Sequence, residues 1–358
     1  MYYSVRKVIV EVKKVLFVIL VVSTVLGVFT ACQPDDRIQL NIYNVGDYIN
    51  EDVIDIFEKE NPDIKINYET YYANEEMYVK VANQSSDYDV IFPSDYMIEK
   101  MKSEGLLNKL NYENIPNYEK ISSEFKGLAY DKDEEYSVPY MWGTMGILYN
   151  KSLVKEDVTS WKILWDEKYA KNIFMLDTER DTLGITLKML GYSLNSGNEK
   201  ELNEAKDALV KQKPLVLAYC GDEVKDKMIN AEAALSVVWS GDAYYCMSQN
   251  EDLAYAIPKE GSNLWFDAMV IPTTSKHQAE AERFINFMCR PDIAKMNVDY
   301  IEYSTPIGEV KEQLADTVKN DKMRYPDITK VNNLEIFSYD KELTKKYSEI
   351  WQEIKISN

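Results

Sequence analysis

The sequence predicts an α/β protein built from two lobes. Strand-like segments are followed by helix-like segments over most of the chain, and a second series of such segments follows the first. This alternation is typical of parallel sheets whose strands are joined by helical crossovers. The chain has 358 residues, and at the usual domain size this length favours two domains over one.

The first α/β block begins at residue 38. Apolar and polar residues alternate over residues 38–42 and 64–68, which indicates two strands. The apolar spacing of residues 51–60 and 75–82 predicts two helices, and Asn61-Pro62 ends the first of them. Residues 89–92 form a short apolar run that predicts a buried third strand. The order strand, helix, strand, helix, strand implies a parallel sheet.

A second block follows after a polar stretch and an apolar one. Short apolar runs predict strands at residues 173–176 and 235–239. Helical spacing indicates helices at residues 182–190 and 199–211, and another from Asp242. These elements form the second lobe.

Five further segments concern the connection between the lobes. Residues 108–135 are polar and read as surface, whereas the apolar and aromatic residues 136–149 are suited to cross between lobes. Strands are predicted at residues 254–258 and 266–271, and a helix at residues 279–288. Because these late elements resemble another α/β unit, we expect the chain to return to the first lobe.

Composition excludes several classes of function. The formal net charge is −19, with 41 basic and 60 acidic residues, which disfavours nucleic acid and anionic membrane surfaces as main partners because phosphate binding needs a basic face. The chain has one His, so His-based acid/base catalysis and His-rich metal sites are disfavoured. A cationic ligand fits this composition better than an anionic one.

The first 31 residues read as an export signal. Four basic residues precede an uncharged run from Val15 to Ala31, and Cys32 follows directly. This order of basic, apolar and small residues is typical of a signal peptide. Cys32 in this position resembles the lipid-modified Cys of bacterial lipoproteins, although Phe29 stands where Leu is usual. The alternative is an uncleaved membrane anchor, since 17 residues approach the length of about 20 that spans a bilayer. Both readings put the body of the protein outside the cytoplasmic membrane.

Three cysteines remain once Cys32 is assigned to lipidation. Cys220, Cys246 and Cys289 are an odd number and lack the spacing of a metal site. We expect buried free thiols for most of them, and at most one disulfide.

Polar turns directly after predicted strands are the candidate binding positions. In open α/β sheets, ligands bind beyond the carboxyl ends of the strands. Each such turn contains a carboxylate, and three of them contain an aromatic residue. The turns are Val45–Tyr48, Pro93–Tyr96, Asp177–Asp181 and Trp239–Asp242. Taken singly, a turn Asp is more often a helix cap than a binding residue.

Asp267 is a carboxylate inside an otherwise apolar run, and a buried carboxylate needs a cation or several hydrogen-bond donors. Aromatic faces attract ammonium groups and cover methylenes, while carboxylates fix charged nitrogens. Repetition of this pairing at several strand ends therefore predicts a linear alkyl polycation as ligand.

The mature body resembles the substrate-binding proteins of spermidine/putrescine ABC transporters along essentially its whole length. The resemblance is carried by IYNVGDYI (42–49), YDVIFPSDY (88–96), YSVPYMWG (136–143), VWSGDA (238–243), WFD (265–267), RPD (290–292) and YPD (325–327).

The resemblance implies a type II periplasmic-binding fold, with two lobes of mixed, mainly parallel sheet and a ligand cleft between them. We expect a signal peptide at 1–31, a first lobe of residues 32–145 and 267–310, and a second lobe of residues 146–266 and 311–358. It also implies a non-enzymatic, monomeric protein anchored through Cys32, which delivers a polyamine to a permease and its ATPase. No cofactor, metal or nucleic acid is expected.

Binding roles follow from the resemblance position by position. It implies an aromatic box of Tyr48, Trp239, Trp265 and Tyr303 around the ligand methylenes. Asp47, Asp181 and Asp267 would face the amines, Ser94 and Tyr96 would give hydrogen bonds, and Thr178 lies where the family often has Asp. Asp242, in the fourth turn, completes the predicted set.

Departures from the family pattern leave the ligand length open. Val45 replaces a Trp of the family, and Asp47 and Asp181 are commonly Glu, one methylene longer. A Gln late in the family's chain falls near Phe337. These changes preserve cation binding but leave the choice between putrescine and spermidine undecided.

Four alternatives differ in class. The same fold could bind another small cationic solute, and a secreted glycosidase could also use paired carboxylates beside aromatics. A ferric-iron binder would use adjacent tyrosines, for which Tyr71-Tyr72 and Tyr244-Tyr245 are the candidates. A structural surface lipoprotein would bind no small ligand.

Overall fold

The computed structural model describes residues 35–328 and 333–357. The predicted signal peptide, residues 1–31, and the predicted lipidation site, Cys32, lie outside the described residues. From Gln39 onward the described residues form one compact unit. Its strands are β1 (Ile38–Val45), β2 (Ile64–Tyr71), β3 (Val90–Ile91), β4 (Ser137–Asn150), β5 (Ile173–Leu176), β6 (Val216–Cys220), β7 (Leu235–Trp239), β8 (Leu253–Ala256), β9 (Ser262–Val270) and β10 (Leu334–Glu335).

The strands form one mixed sheet in the order β2-β1-β3-β9-β4-β7-β5-β6, with β8 paired to β4 and β10 to β9. β1 and β3 are parallel, and β5 is parallel to both β6 and β7. The centre is antiparallel, because β9 runs against β3 and β4, and β4 runs against β7. Two parallel groups are therefore joined by an antiparallel centre.

The six helices predicted from the sequence are present in the described residues, together with six that were not predicted. They are α1 (Asp52–Glu60), α2 (Asn74–Ala82), α3 (Asp95–Ser103), α4 (Glu179–Leu190), α5 (Glu199–Gln212), α6 (Val224–Ile229), α7 (Ser240–Gln249), α8 (Gln278–Met288), α9 (Pro291–Ile301), α10 (Gly308–Gln313), α11 (Asp316–Lys319) and α12 (Lys341–Ile356).

Local sequence explains where several helices begin and end. The Asn198 side chain accepts hydrogen bonds from two backbone N–H groups of the first turn of α5, and Asp340 caps α12 through the N–H of Leu343. Pro291 opens α9, where no N–H is needed. Gly191 follows α4 in the left-handed conformation, which glycine adopts without steric cost.

β4 is the long strand that links the two parallel groups. Its residues Ser137–Thr144 pair with β9, and its residues Met145–Tyr149 pair with β7. The strand is buried along almost its whole length, which explains the apolar and aromatic sequence from which a crossing segment was predicted. The preceding region, predicted as polar surface, instead contains four short 3₁₀ turns and several buried apolar side chains.

Several predicted strands differ from the structure in their bounds, and not every strand was predicted. β9 begins at Ser262, four residues before the predicted start, because Ser262 and Asn263 are polar but buried and pair with β10. β6 was not predicted. It lies at the edge of the sheet, although its sequence, VLAYC, is a continuous apolar run of the kind that indicates a strand.

Large side chains fill the cores on the two sides of the sheet centre. Phe57 of α1 packs edge-on against Phe284 and Phe287 of α8, at ring-centroid distances of 5.2 Å for both pairs. In the other group, Trp161 is fully buried, and its indole N–H donates to the carbonyl of Gly261 at 2.8 Å. Burial of such aromatics contributes much of the stabilisation of a core.

Cys220, Cys246 and Cys289 are free thiols and are buried, as expected from the sequence. Burial raises the pKa of Cys220 to about 11 and the pKa of both Cys246 and Cys289 to about 12. Among the described residues, no helix combines the length and apolar character that crossing a bilayer requires.

Asp131 fixes the start of β4. This carboxylate is 3% exposed, and its Oδ2 accepts hydrogen bonds from the backbone N–H groups of Tyr136 and Ser137 at 2.9 and 3.0 Å and from the Ser137 hydroxyl at 2.8 Å. The Lys102 ammonium lies 3.4 Å from Oδ1. Asp131 thus satisfies several donors that would otherwise be buried without partners.

We expect Asp131→Ala to lower the free energy of unfolding by at least about 2 kcal/mol, since each buried donor left unpaired costs about 1–3 kcal/mol. Urea unfolding followed by circular dichroism measures this change. Asp133→Ala is the control, because Asp133 is an exposed neighbour that carries the same charge. Equal stabilities of the two variants would contradict the role of Asp131.

Candidate functional site

All eleven predicted ligand-binding residues line a single cavity of about 430 Å³. Asp47 and Tyr48 follow β1, Ser94 and Tyr96 follow β3, Thr178 and Asp181 follow β5, Trp239 ends β7, Asp242 lies in α7, Trp265 and Asp267 lie in β9, and Tyr303 follows α9. The carboxyl ends of parallel strands therefore bring together residues far apart in the sequence, as expected for an open α/β sheet.

Asp267 is a buried carboxylate with one unpaired oxygen. It is 8% exposed, and the Tyr48 hydroxyl donates to its Oδ2 at 2.8 Å. Its Oδ1 is buried and has no hydrogen-bond partner among the described residues. Burial raises the pKa of Asp267 to about 6, and the nearby hydroxyls of Ser94 and Tyr48 limit the rise. An unpaired buried oxygen of this kind favours binding of a cation.

Ser94 is held in place beside Asp267. The Asn74 side chain donates to the Ser94 hydroxyl oxygen at 3.0 Å and accepts from the Ser94 backbone N–H at 3.1 Å. Because the hydroxyl oxygen already accepts a hydrogen bond, its proton is free to point at a carboxylate or a ligand. A backbone bridge between Ser94 and Asp267 keeps the two residues adjacent.

Aromatic rings form the wall of the cavity around Asp267. The ring of Tyr303 contacts that of Tyr48 at 5.4 Å and that of Trp265 at 5.1 Å, both edge to face. Trp239 lies half-buried at the end of β7 and also lines the cavity. The predicted aromatic residues therefore lie on the same cavity, with ring faces and edges available to a cationic alkyl chain.

Two glycines allow the rings to approach the backbone closely. A Cβ added to Gly143 would meet the Ser240 hydroxyl and lie 2.6 Å from the Trp265 ring. A Cβ added to Gly241 would overlap the Tyr303 ring. Because these contacts leave no room for a side chain, the two rings are held at fixed positions.

A second acidic part of the cavity is formed around Asp181. The Thr178 hydroxyl donates to Asp181 Oδ2 at 2.7 Å, and burial raises the pKa of Asp181 to about 6. The Tyr96 hydroxyl donates to Glu75 at 3.1 Å. The Arg180 guanidinium lies over the Tyr96 ring at 4.1 Å, so a cation also lines this part of the cavity.

A third acidic part of the cavity is formed around Asp242, and here the Lys225 ammonium lies beside the carboxylate. Asp242 is 6% exposed, and its Oδ1 lies 3.8 Å from the Lys225 ammonium. Burial raises the pKa of Asp242 to about 6, although Lys225 limits the rise. Asp222 and Asp47 also line this end of the cavity and act electrostatically on Lys225. Asp47 is exposed and accepts a hydrogen bond from the Tyr300 hydroxyl at 2.9 Å.

Asp95 also lines the cavity, and its carboxylate is engaged by the backbone. It is 1% exposed and accepts hydrogen bonds from the backbone N–H groups of Phe266 at 3.0 Å and Tyr96 at 2.7 Å. Burial raises its pKa well above the usual range. These bonds tie the start of α3 to β9 and so hold the Tyr96 and Asp267 backbones in register.

Several lining residues were not predicted from the sequence. Asn74 and Glu75 follow β2, which ends at Tyr71, three residues beyond the predicted strand. Asp222 and Lys225 follow β6, which was not predicted. The rule that turns after strands carry the site would have found all four, had these strand ends been recognised. Phe337, where the family has a nearby Gln, also lines the cavity.

The tyrosine pairs considered for iron make other contacts. The Tyr71 hydroxyl donates to the Phe92 carbonyl at 2.7 Å, and the Tyr244 hydroxyl donates to Asp321 at 2.7 Å. Tyr72 is 64% exposed and lines the cavity, and Tyr245 is 40% exposed. The hydrogen bonds of Tyr71 and Tyr244 favour packing roles for these two residues.

Known proteins resemble the chain in both sequence and structure. Residues 52–325 match the family model of the bacterial extracellular solute-binding proteins. The spermidine/putrescine-binding periplasmic protein of Escherichia coli is 32% identical over 328 residues, which cover 91% of this chain and 94% of that protein.

Two solved structures extend the similarity to the fold. One is a putative spermidine/putrescine ABC transporter protein of Listeria monocytogenes, with 42% identity and a TM-score of 0.86. The other is the spermidine/putrescine ABC transporter substrate-binding protein of Streptococcus pneumoniae, with 42% identity and a TM-score of 0.79. Each similarity covers 89% of this chain and 99% of the other. The predicted two-lobe α/β fold class is confirmed, and the chain belongs to the bacterial extracellular solute-binding protein family.

Proposed function

We propose that the protein is an extracytoplasmic receptor that binds a polyamine and delivers it to an ABC importer. The observation that carries the proposal is the unpaired Oδ1 of buried Asp267 inside an aromatic wall. An alkylammonium group supplies the missing charge and hydrogen bonds, and the rings cover the methylenes on either side of it. The relatives whose names specify spermidine and putrescine support the same ligand class.

The eleven predicted residues that line the cavity are proposed to have three kinds of role in binding. Tyr48, Trp239, Trp265 and Tyr303 form the aromatic box; Asp47, Asp181, Asp242 and Asp267 supply negative charge; Ser94, Tyr96 and Thr178 supply or orient hydrogen bonds. Carboxylates at several points along one cavity suit a ligand that carries two or more ammonium groups on one chain.

Binding is proposed to close the two lobes around the ligand. The lobe boundaries expected at 145/146 and 266/267 fall within β4 and β9, where these strands link the two parallel groups. A change of angle along two continuous strands moves the lobes as bodies, in the manner of hinge closure. Closure removes water from the ammonium and carboxylate groups and strengthens their attraction.

The same proposal covers partners and location. The protein acts as a monomer outside the cytoplasmic membrane, carries a lipid on Cys32, and passes its ligand to a permease driven by a cytoplasmic ATPase. It catalyses no reaction: the cavity holds its acids beside aromatic rings and two resident cations, an arrangement suited to binding charge.

A cationic solute with a carboxylate is the second candidate ligand class. Arg180 lines the cavity, its Nε is buried without a hydrogen-bond partner, and no carboxylate oxygen of the described residues lies within ion-pair distance of it. A guanidinium in this state suits a ligand carboxylate. Titration with ornithine beside putrescine and spermidine separates the two classes, because only ornithine has both groups.

We expect Asp267→Asn to weaken binding of the preferred polyamine by about tenfold or more, which corresponds to about 1.4 kcal/mol. Asn keeps the size of the side chain but removes the charge that pairs with an ammonium group. Isothermal titration calorimetry measures the change. Glu251→Gln removes the same charge from an exposed position and is the control. Equal affinities of D267N and the wild type would contradict the proposed role.

Affinity is expected to rise with pH up to neutrality. Burial raises the pKa of Asp181, Asp242 and Asp267 to about 6 from an ordinary value of 3.8. Each carboxyl thus holds its proton more tightly in the folded, ligand-free state than when unfolded, so the ligand-free protein loses stability as pH rises through about 6. A bound ammonium group favours the charged form, so binding below about pH 6 releases protons.

Calorimetry with putrescine and spermidine between about pH 5 and about pH 8, in buffers of different ionisation enthalpy, tests this dependence. The expected result is affinity that increases with pH and levels off near neutrality. Affinity that stays constant or falls over this range would show that the three carboxyls do not pair with ligand ammonium groups.

Cys32→Ser is expected to release the protein from membranes, because the serine hydroxyl does not accept the thioether-linked lipid. Metabolic labelling with a fatty acid and membrane fractionation of the full chain measure the effect. The wild type is expected to be labelled and sedimented, and the variant neither. Equal labelling of both proteins would rule out Cys32 as the attachment point.

A further inference from the structure

The cavity contains an ammonium group supplied by the protein itself. Lys225 lies in α6, lines the cavity, and has a side chain that is 23% exposed. Its Nζ lies 3.8 Å from the Oδ1 of Asp242, which is buried. Asp222 and Asp47 also act on it, and together they keep the pKa of Lys225 raised despite burial. Lys225 therefore carries its charge within the cavity.

Three of the acidic residues that line the cavity, Asp267, Asp181 and Asp242, differ in what already neutralises them. Asp267 has an unpaired oxygen and no cation beside it. Asp181 is bonded to the Thr178 hydroxyl and feels the charges of both Arg180 and Glu75, but no ion pair with Arg180 forms. Asp242 is paired with Lys225. The first two positions are open to ligand ammonium groups, and the third is occupied.

A chain of contacts connects Asp242, which is paired with Lys225, to Asp267, which is open to a ligand. Tyr48 bonds to Asp267 at one end, and its ring contacts the ring of Tyr303 at 5.4 Å. The Tyr303 hydroxyl in turn interacts with Asp242. A triamine with ammonium groups at Asp181 and Asp267 would direct its third ammonium along these rings toward Lys225.

We propose that Lys225 takes the place of a third ligand ammonium and makes the receptor selective for diamines over triamines. This inference rests on the proposed polyamine function and names the ligand within that class. The volume of the cavity, about 430 Å³, does not distinguish a diamine from a triamine, since it falls within the usual range for small-molecule sites. Charge distinguishes the two ligands, because like charges placed close together in a partly desolvated site repel strongly.

Lys225→Met is the direct test, with putrescine as the diamine and spermidine as the triamine. Wild-type protein is expected to bind putrescine more tightly than spermidine. In K225M, Asp242 is left without its cation, so spermidine affinity is expected to rise by about tenfold relative to putrescine affinity. Isothermal titration calorimetry of both ligands against both proteins gives the ratio.

Two further variants make the result specific. Lys225→Gln removes the charge but keeps a polar group beside Asp242, so it tests the same expectation if K225M does not fold. Lys227→Met is the matched control: Lys227 lies in the same helix, does not line the cavity, and has Glu232 as its partner at 3.7 Å. K227M is expected to keep the wild-type ratio.

The outcomes separate this inference from the proposed function. Wild-type protein that binds neither polyamine would overturn the proposed function itself. Wild-type binding that favours spermidine, or an unchanged ratio of affinities in both K225M and K225Q, would overturn the role of Lys225 while leaving polyamine binding intact. A similar shift in K227M would assign the effect to net charge and would also overturn it.

Discussion

The need of one buried carboxylate for a counter-charge organises this cavity. Asp267 lies in a fully buried strand, and only one of its two oxygens is hydrogen-bonded by the described residues. Leaving a charged oxygen without water or a partner is costly, and the raised pKa of the group reflects this cost. The ligand-free fold is therefore partly unsatisfied at its centre, and this deficit favours the ligand that can correct it.

The residues around Asp267 limit which ligand can pair with its unpaired oxygen. The Trp265 and Tyr303 rings are fixed against Gly143 and Gly241, so the walls have little freedom to adapt to a different shape. Charge is set separately from shape, through Lys225 beside Asp242 and through Arg180 on the opposite acidic group. An acidic cavity with its own cations can thus distinguish ligands by the number of ammonium groups while keeping one set of walls.

The sequence was sufficient where the signal was local. The strands at residues 173–176 and 235–239 are short apolar runs buried on both faces, and their predicted bounds match the structure. β6 was missed although its sequence, VLAYC, is a similar apolar run, so the local signal for this edge strand was present. Lys225 was missed in consequence. Its pairing with Asp242 depends on tertiary approach of α6 to α7, which no spacing in the sequence encodes.

The free cysteines of the body have a practical consequence for measurement. All three are buried, and their raised pKa values leave almost no thiolate at neutral pH. A single cysteine introduced on the surface near the cleft would therefore react selectively with a maleimide dye, without prior removal of the native thiols. The proposed closure around a solute would then change the surroundings of the dye, so the described part of the chain would serve as the scaffold of a fluorescent biosensor.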